Sequence, residues 1–322
     1  MKYLSDYVHS KGLKFGMYSS AGALTCAGLP ASYDHEYIDA ATFAEWGVDF
    51  LKYDYCFHPY TIPGHILYKR MGTALATCGR DILFSACSWG VEDSMVWIKE
   101  TGAHMWRSTG DIGDSFGSVK ALIKQELRHM QYNGKGCFND LDMLIVGMNG
   151  EGNVGCGGCT EDEYKLHFAF WCLFGSPLMI GCDVRKIDDV SLNLLKNPDL
   201  LRIDQDPAYR QPFFLNPMEK NLDTLDKNPP DYYKDSPDIP ILARYLSDGR
   251  IAIGIFNLTE NDSNIYYGYF HLDSVGVPAS SGKTLLIRDI FTGEKTKVQN
   301  GLATIPCPPH SCRIFIADVV DK

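Results

Sequence analysis

The stretch Val48-Asp49-Phe50-Leu51-Lys52-Tyr53-Asp54-Tyr55-Cys56 begins as an apolar run and ends in charge. Strand residues two apart share a face, so Lys52 and Asp54 fall on one side of a strand, at its carboxyl end, where a buried face is ordinarily apolar. Charge placed there reads as a site. A second stretch, Met105-Trp106-Arg107-Ser108-Thr109-Gly110-Asp111-Ile112, sets Arg107 shortly ahead of another acid. The chain thus carries two carboxylates, each with a cation close in sequence, and a carboxylate pair is what cleavage of a glycosidic bond requires.

Outward from these stretches, strand-like and helix-like runs alternate. Residues 13–19, 48–55, 82–87, 104–108, 136–142 and 178–181 read as short buried strands, and residues 38–46, 66–77, 118–132 and 161–174 as helices. Strands regularly separated by helices pair in parallel through crossover helices. Polar residues gather at the carboxyl ends of these strands: Tyr18, Asp54, Cys87, Ser88, Arg107, Asp111, Asp140 and Asp142. A (β/α) barrel keeps its active site at that end. The text changes near Asp204-Gln205-Asp206-Pro207. A polar, Pro-rich stretch (216–240) follows, then β-rich runs at 241–246, 251–257, 265–272, 284–289 and 312–317, punctuated by turns such as Asp248-Gly249 and Thr292-Gly293. The expected organisation is a (β/α)8 TIM barrel over residues 1–206, with six of its eight strands present, followed by an antiparallel β-sandwich domain over 207–322.

Composition narrows the function classes. No uninterrupted apolar stretch approaches eighteen residues, so no membrane span is expected, and a net charge of -10 argues against nucleic acid as a partner. Met1 to His9 has helix spacing, with Leu4, Tyr7 and Val8 on one face, and lacks the charged and apolar regions of a secretory leader. The compartment, cytoplasmic or secreted, is left open, as is homo-oligomer formation. The nine histidines show no repeated metal spacing. Cys156 and Cys159 have a C-x-x-C spacing, but no second such pair or close His pair completes a zinc site, so neither metal nor cofactor is expected. The remaining cysteines read mostly as small hydrophobes.

The LKYDYC stretch, the Trp106-Arg107 to Asp111 segment, Asn139-Asp140-Leu141-Asp142-Met143, and Tyr7-Val8-His9-Ser10-Lys11-Gly12-Leu13-Lys14 followed by Thr25-Cys26-Ala27-Gly28 together resemble the α-galactosidases of glycoside hydrolase family 27. The resemblance runs from the first residues to about Pro207 and continues weakly to Pro308-Pro309-His310. It implies a (β/α)8 barrel with a β domain, and retaining hydrolysis of terminal α-linked galactose in a small carbohydrate substrate. Carried over by residue, it makes Asp54 the nucleophile and Asp111 the general acid/base. It makes Arg107 and Asp142 ligands of sugar hydroxyls, Tyr18 a neighbour of the nucleophile and Met143 a wall of the pocket. Lys52, on the side of Asp54, would keep that carboxylate ionised and hold sugar hydroxyls. Asp114 is a rival acid/base by spacing; the resemblance favours Asp111 and leaves Asp114 as a solvated residue or a cap of the following helix. It also implies a disulfide between Cys26 and Cys56. A retaining pair places its carboxyl groups about 5 to 5.5 Å apart.

Two departures qualify the resemblance. Family α-galactosidases commonly place Glu where Ser88 stands between Cys87 and Trp89, whereas related α-N-acetylgalactosaminidases have Ser there and a small residue three positions on; here that later position is Val91, intermediate in size. α-Galactoside remains the expected substrate, with the acetamido sugar, or an inactive truncated carbohydrate-binding homologue, as the alternative. The second departure is length. Six strands in roughly 206 residues fall short of the about 250 typical of such a barrel. The family's first two strands, with an aspartate pair and a Trp that grip galactose, would precede Met1. Asp34, Asp39 and the acids of 216–240 sit in a loop, a helix and a linker and do not replace them. The expectation is poor solubility or inactivity until two βα units are supplied.

Overall fold

The computed structural model describes residues 1–215, 238–260 and 266–322. It comprises two compact units, one of residues 1–111 with 132–142 and the other of 112–131 with 143–322. This partition follows packing, whereas the division at 206/207 follows the type of secondary structure. The Pro-rich stretch falls mostly outside the described residues. No described helix is long and apolar enough to cross a membrane.

The first unit is a parallel sheet with helices over one face. Strands β1 (Gly16–Ser20), β2 (Phe50–Asp54), β3 (Leu83–Cys87), β4 (Met105–Arg107) and β5 (Phe138–Asp140) lie in sequence order across it. Helices α1 (Lys2–Ser10), α2 (Glu36–Trp46), α3 (Gly64–Thr77) and α4 (Ser94–Trp97) belong to the same unit. Alternation in β2 decides which residues go where. Leu51 and Tyr53 are fully buried beside Leu67, Tyr68, Met71 and Leu75 of α3 and Phe84 of β3, leaving Lys52 and Asp54 to the other face. α3 approaches closely because position 72 is glycine: a Cβ there would stand 1.9 Å from the Thr101 carbonyl oxygen. Helix α1 forms, and its Leu4 and Tyr7 face is turned to solvent. Ser5 turns inward and donates to the Gly47 carbonyl at 3.1 Å, while Leu4 and Tyr7 are exposed.

In the second unit, helices α5 (Phe116–Glu126), α6 (Glu161–Phe174), α7 (Asp189–Leu195) and α8 (Pro198–Asp204) accompany the β domain. A capping box at Thr160 and Glu163 starts α6, and Gly175 in a left-handed conformation ends it. The predicted run at 178–181 forms no strand; Ile180 makes an isolated parallel bridge to Leu144. Strands β6 (Phe213–Phe214), β7 (Ile241–Tyr245), β8 (Ile251–Asn257), β9 (Tyr266–His271), β10 (Lys283–Asp289), β11 (Lys295–Lys297), β12 (Leu302–Cys307) and β13 (Ser311–Asp321) build a six-stranded antiparallel sheet, ordered β11-β10-β13-β8-β7-β6, and a two-stranded one, β12-β9. Ile253, Ile255, Phe270, Leu285, Ile305 and Phe315 belong to the core of this sandwich. The Phe170 ring of α6 meets Phe256 of β8 edge-on at 5.1 Å, so α6 packs on the β domain.

Candidate active site

Parallel register carries the polar residues to one end of the first sheet. Ser20 pairs with Asp54, Cys87 with Arg107, and Arg107 with Asp140, so these side chains stand in a row across the carboxyl ends of β1 to β5. One row deeper, Tyr18, Lys52 and Ser85 are register partners. Asp54 is 7% exposed. Its Oδ2 accepts the Tyr18 hydroxyl at 2.7 Å and its Oδ1 accepts the Tyr55 amide at 2.9 Å. Burial, then the bond to Asp54, pushes the Tyr18 phenol well above its ordinary range, so Tyr18 stays a donor. The Tyr18 hydroxyl also lies 3.2 Å from Cys26 Sγ, and Cys26 is disulfide-bonded to Cys56, as the resemblance implied. Ligand atoms of Cys26, Cys56 and Asp54 lie within 4.8 Å of one another. With both sulfurs in a disulfide, that trio offers no thiolate.

Arg107, 1% exposed, organises the other end of the row. Its Nη2 reaches Asp142 Oδ2 at 2.8 Å, Asp111 Oδ1 at 2.9 Å and the Gly110 carbonyl at 2.7 Å, and its Nε donates to Thr109 Oγ1 at 3.2 Å. Asp142 faces it from a backbone φ of +82°. The Asp111 side chain is 86% exposed, so Arg107 orients a carboxyl group that otherwise stands in solvent. Lys52 is close enough to Cys87 and Asp140 for its charge to act on both. Ser88 is fully buried and its Oγ has no hydrogen-bond partner, while Val91 is exposed.

The first unit therefore brings together Tyr18, Cys26, Lys52, Asp54, Cys56, Ser88, Arg107, Asp111 and Asp142. Met143 belongs to the second unit, where its Sδ lies against Gly181. Asp114 is neither solvated nor a cap. It is fully buried in the second unit, its Oδ1 accepting the Tyr164 hydroxyl at 2.8 Å and its Oδ2 the Gly150 amide at 2.7 Å, and Ser115 caps α5 instead. Both its oxygens are committed to the fold, because the glycine-rich run after Asn149 supplies a donor that spacing along the chain does not reveal. Cys156 and Cys159 are free thiols. Asp140 was quoted in a motif without a role. Two charged residues two apart at a strand end, here Asp140 and Asp142, are the pattern that singled out Lys52 and Asp54.

Known proteins resemble the chain over nearly its whole length. The alpha galactosidase A family model, Melibiase_2, matches residues 1–206, and the alpha galactosidase C-terminal beta sandwich model, Melibiase_C, matches residues 236–317. An alpha-galactosidase of Cyamopsis tetragonoloba is 35% identical over 317 residues, covering 98% of this chain and 69% of the relative. The solved structure of alpha-galactosidase I from Mortierella vinacea superposes with a TM-score of 0.83 at 28% identity, covering 98% of this chain and 79% of that one. A Bacteroides fragilis structure, 34% identical with a TM-score of 0.83, is spanned over 64% of its length. The chain thus covers roughly two thirds of the length of several relatives.

Proposed function

The chain belongs to the α-galactosidase family, glycoside hydrolase family 27, and we propose that it hydrolyses terminal α-linked galactose from small carbohydrates by retaining double displacement. One observation carries the reading. A buried carboxylate, Asp54, and a solvent-facing one, Asp111, each with its own donors, sit on one sheet end. In the first step Asp54 attacks the anomeric carbon as the glycosidic C–O bond breaks, and Asp111 gives its proton to the departing oxygen. In the second, Asp111 takes a proton from water as that water attacks the same carbon and releases Asp54. Tyr18 and Lys52 stabilise the Asp54 carboxylate between turnovers, and Arg107 with Asp142 presents a hydrogen-bonding edge to the sugar.

The deciding experiment compares kcat/KM on matched p-nitrophenyl α-galactoside and α-N-acetylgalactosaminide, with Asp54→Ala as the inactive control. Preference for galactoside, abolished in Asp54→Ala and returning with azide as an inverted glycosyl azide, is the expected result. Ser88 favours the acetamido sugar as the second reading, because it presents no carboxylate to a 2-hydroxyl and leaves room for a larger group. A clear preference for that substrate selects it. Sugar binding with no turnover of either substrate selects a non-catalytic homologue. A ligand-bound structure with the two carboxyl groups nearer about 9 Å than about 5.5 Å apart removes the retaining mechanism.

A further inference from the structure

Asp142 holds its backbone at φ +82°, a left-handed conformation that costs a non-glycine residue about 1–2 kcal/mol. It makes the 2.8 Å contact to Arg107 from that conformation. What meets its backbone is Asp140: the Asp142 amide donates to Asp140 Oδ1 at 2.9 Å, two residues back. Asp140 is itself tied to the row, as the register partner of Arg107 at the end of β5, and is buried. A chain of contacts results, from Asp140 to the Asp142 amide, from the Asp142 carboxylate to Arg107, and from Arg107 to Asp111.

We propose that Asp140 is a positioning residue of this site, one that holds Asp142 in its left-handed turn and through Arg107 sets the orientation of the Asp111 carboxyl group. The inference rests on the reading of Asp111 as acid/base. Asp140 need not touch substrate. Its effect passes through a guanidinium that Asp142 holds together with the Gly110 carbonyl and Thr109, so loss of the Asp142 turn would let Arg107 shift and loosen its hold on Asp111, which is largely solvent-exposed. The charged and titratable groups facing Asp140 are Arg107, Asp142, Lys52 and the Cys87 thiol. Burial pushes its carboxyl up to about 6, with Asp142 adding to the rise and Arg107 and Lys52 opposing it.

The test uses the leaving group. In Asp140→Ala, kcat/KM on an unactivated α-galactoside, which needs the acid, should fall about 10- to 100-fold, and on a dinitrophenyl α-galactoside only a few-fold. Asp140→Asn, whose amide oxygen can still accept the Asp142 N–H, should restore most of the loss. Equal loss on both substrates in a folded Asp140→Ala protein, as judged by circular dichroism and an unchanged thermal midpoint, overturns the proposal. Should Asp140→Ala not fold, Asp140→Glu, whose longer side chain moves the acceptor off the Asp142 amide, carries the test on the same two substrates, and equal loss on both is equally fatal. Asp111→Ala is the control: if it shows no leaving-group selectivity, the acid/base reading fails; if it does and Asp140→Ala does not, only this inference fails.

Discussion

The Tyr18 hydroxyl meets both a disulfide and a buried carboxylate. It is the donor on Asp54 Oδ2, it touches the disulfide at Cys26, and it sits on an edge strand of the first sheet. Removing the hydroxyl takes a donor from a buried carboxylate without opening a cavity, so Tyr18→Phe should keep the protein folded and lower kcat/KM about tenfold. Steady-state kinetics beside a thermal melt checks this, and an unchanged kcat/KM would assign Tyr18 to structure alone. Asp114 makes the opposite case. Its two oxygens are satisfied inside the second unit, so Asp114→Ala leaves the Gly150 amide and the Tyr164 O–H without acceptors, although the Tyr164 oxygen still accepts the Asn149 amide, and should lower stability by about 2–3 kcal/mol in urea unfolding. A loss under about 0.5 kcal/mol would mean that water replaces the carboxylate without cost.

At the level of elements, Asp49 joins the amino ends of several. Its Oδ2 meets His9 Nε2 of α1 at 2.6 Å and the Phe15 amide ahead of β1 at 2.8 Å, and its Oδ1 meets Arg80 Nη2 ahead of β3 at 2.7 Å. Burial alone would raise its carboxyl, but these bonds and nearby Lys14 hold it well below the usual carboxylate range. A depressed folded-state value means stability that is present above the unfolded value, near pH 4, and lost as pH falls through the folded one. Asp49→Asn should therefore melt several degrees below wild type at pH 7, with the gap closing below about pH 4. A gap of the same size at pH 7 and pH 2.5 would show that hydrogen bonding, not charge, does the joining. The β elements teach a different lesson. β12 was not anticipated, because Pro306 interrupts its text, yet it alternates exposed and buried residues along its length against β9 in a two-stranded sheet. The run at 178–181 was anticipated as a strand and makes one bridge, since four apolar residues carry no partner information by themselves.

Across the molecule, the Cys26–Cys56 disulfide closes a sequence separation of 30 and ties the loop after β1 to the end of β2. Loop-closure entropy at that length is worth about 3–4 kcal/mol, so Cys26→Ser with Cys56→Ser should lower the melting temperature and reproduce the melt of the reduced wild type. Melts that agree with the oxidised wild type would reduce the disulfide to a local ornament of the site. Sequence alone determined the alternation of strands and helices, the change to β-rich text, the face shared by Lys52 and Asp54 and the pairing of Arg107 with Asp111. All of these are periodicities or spacings within a few residues, and local geometry sets them before the chain folds. Only the tertiary structure decided that Asp114 is buried, that Ser5 and not Leu4 faces inward, that Asp49 gathers four partners, and that Asp140 stands behind Asp142 and beside Arg107. Each of those outcomes depends on donors, carbonyls and charges distant along the chain or on a backbone turned to positive φ, and no period in the sequence encodes where such groups arrive.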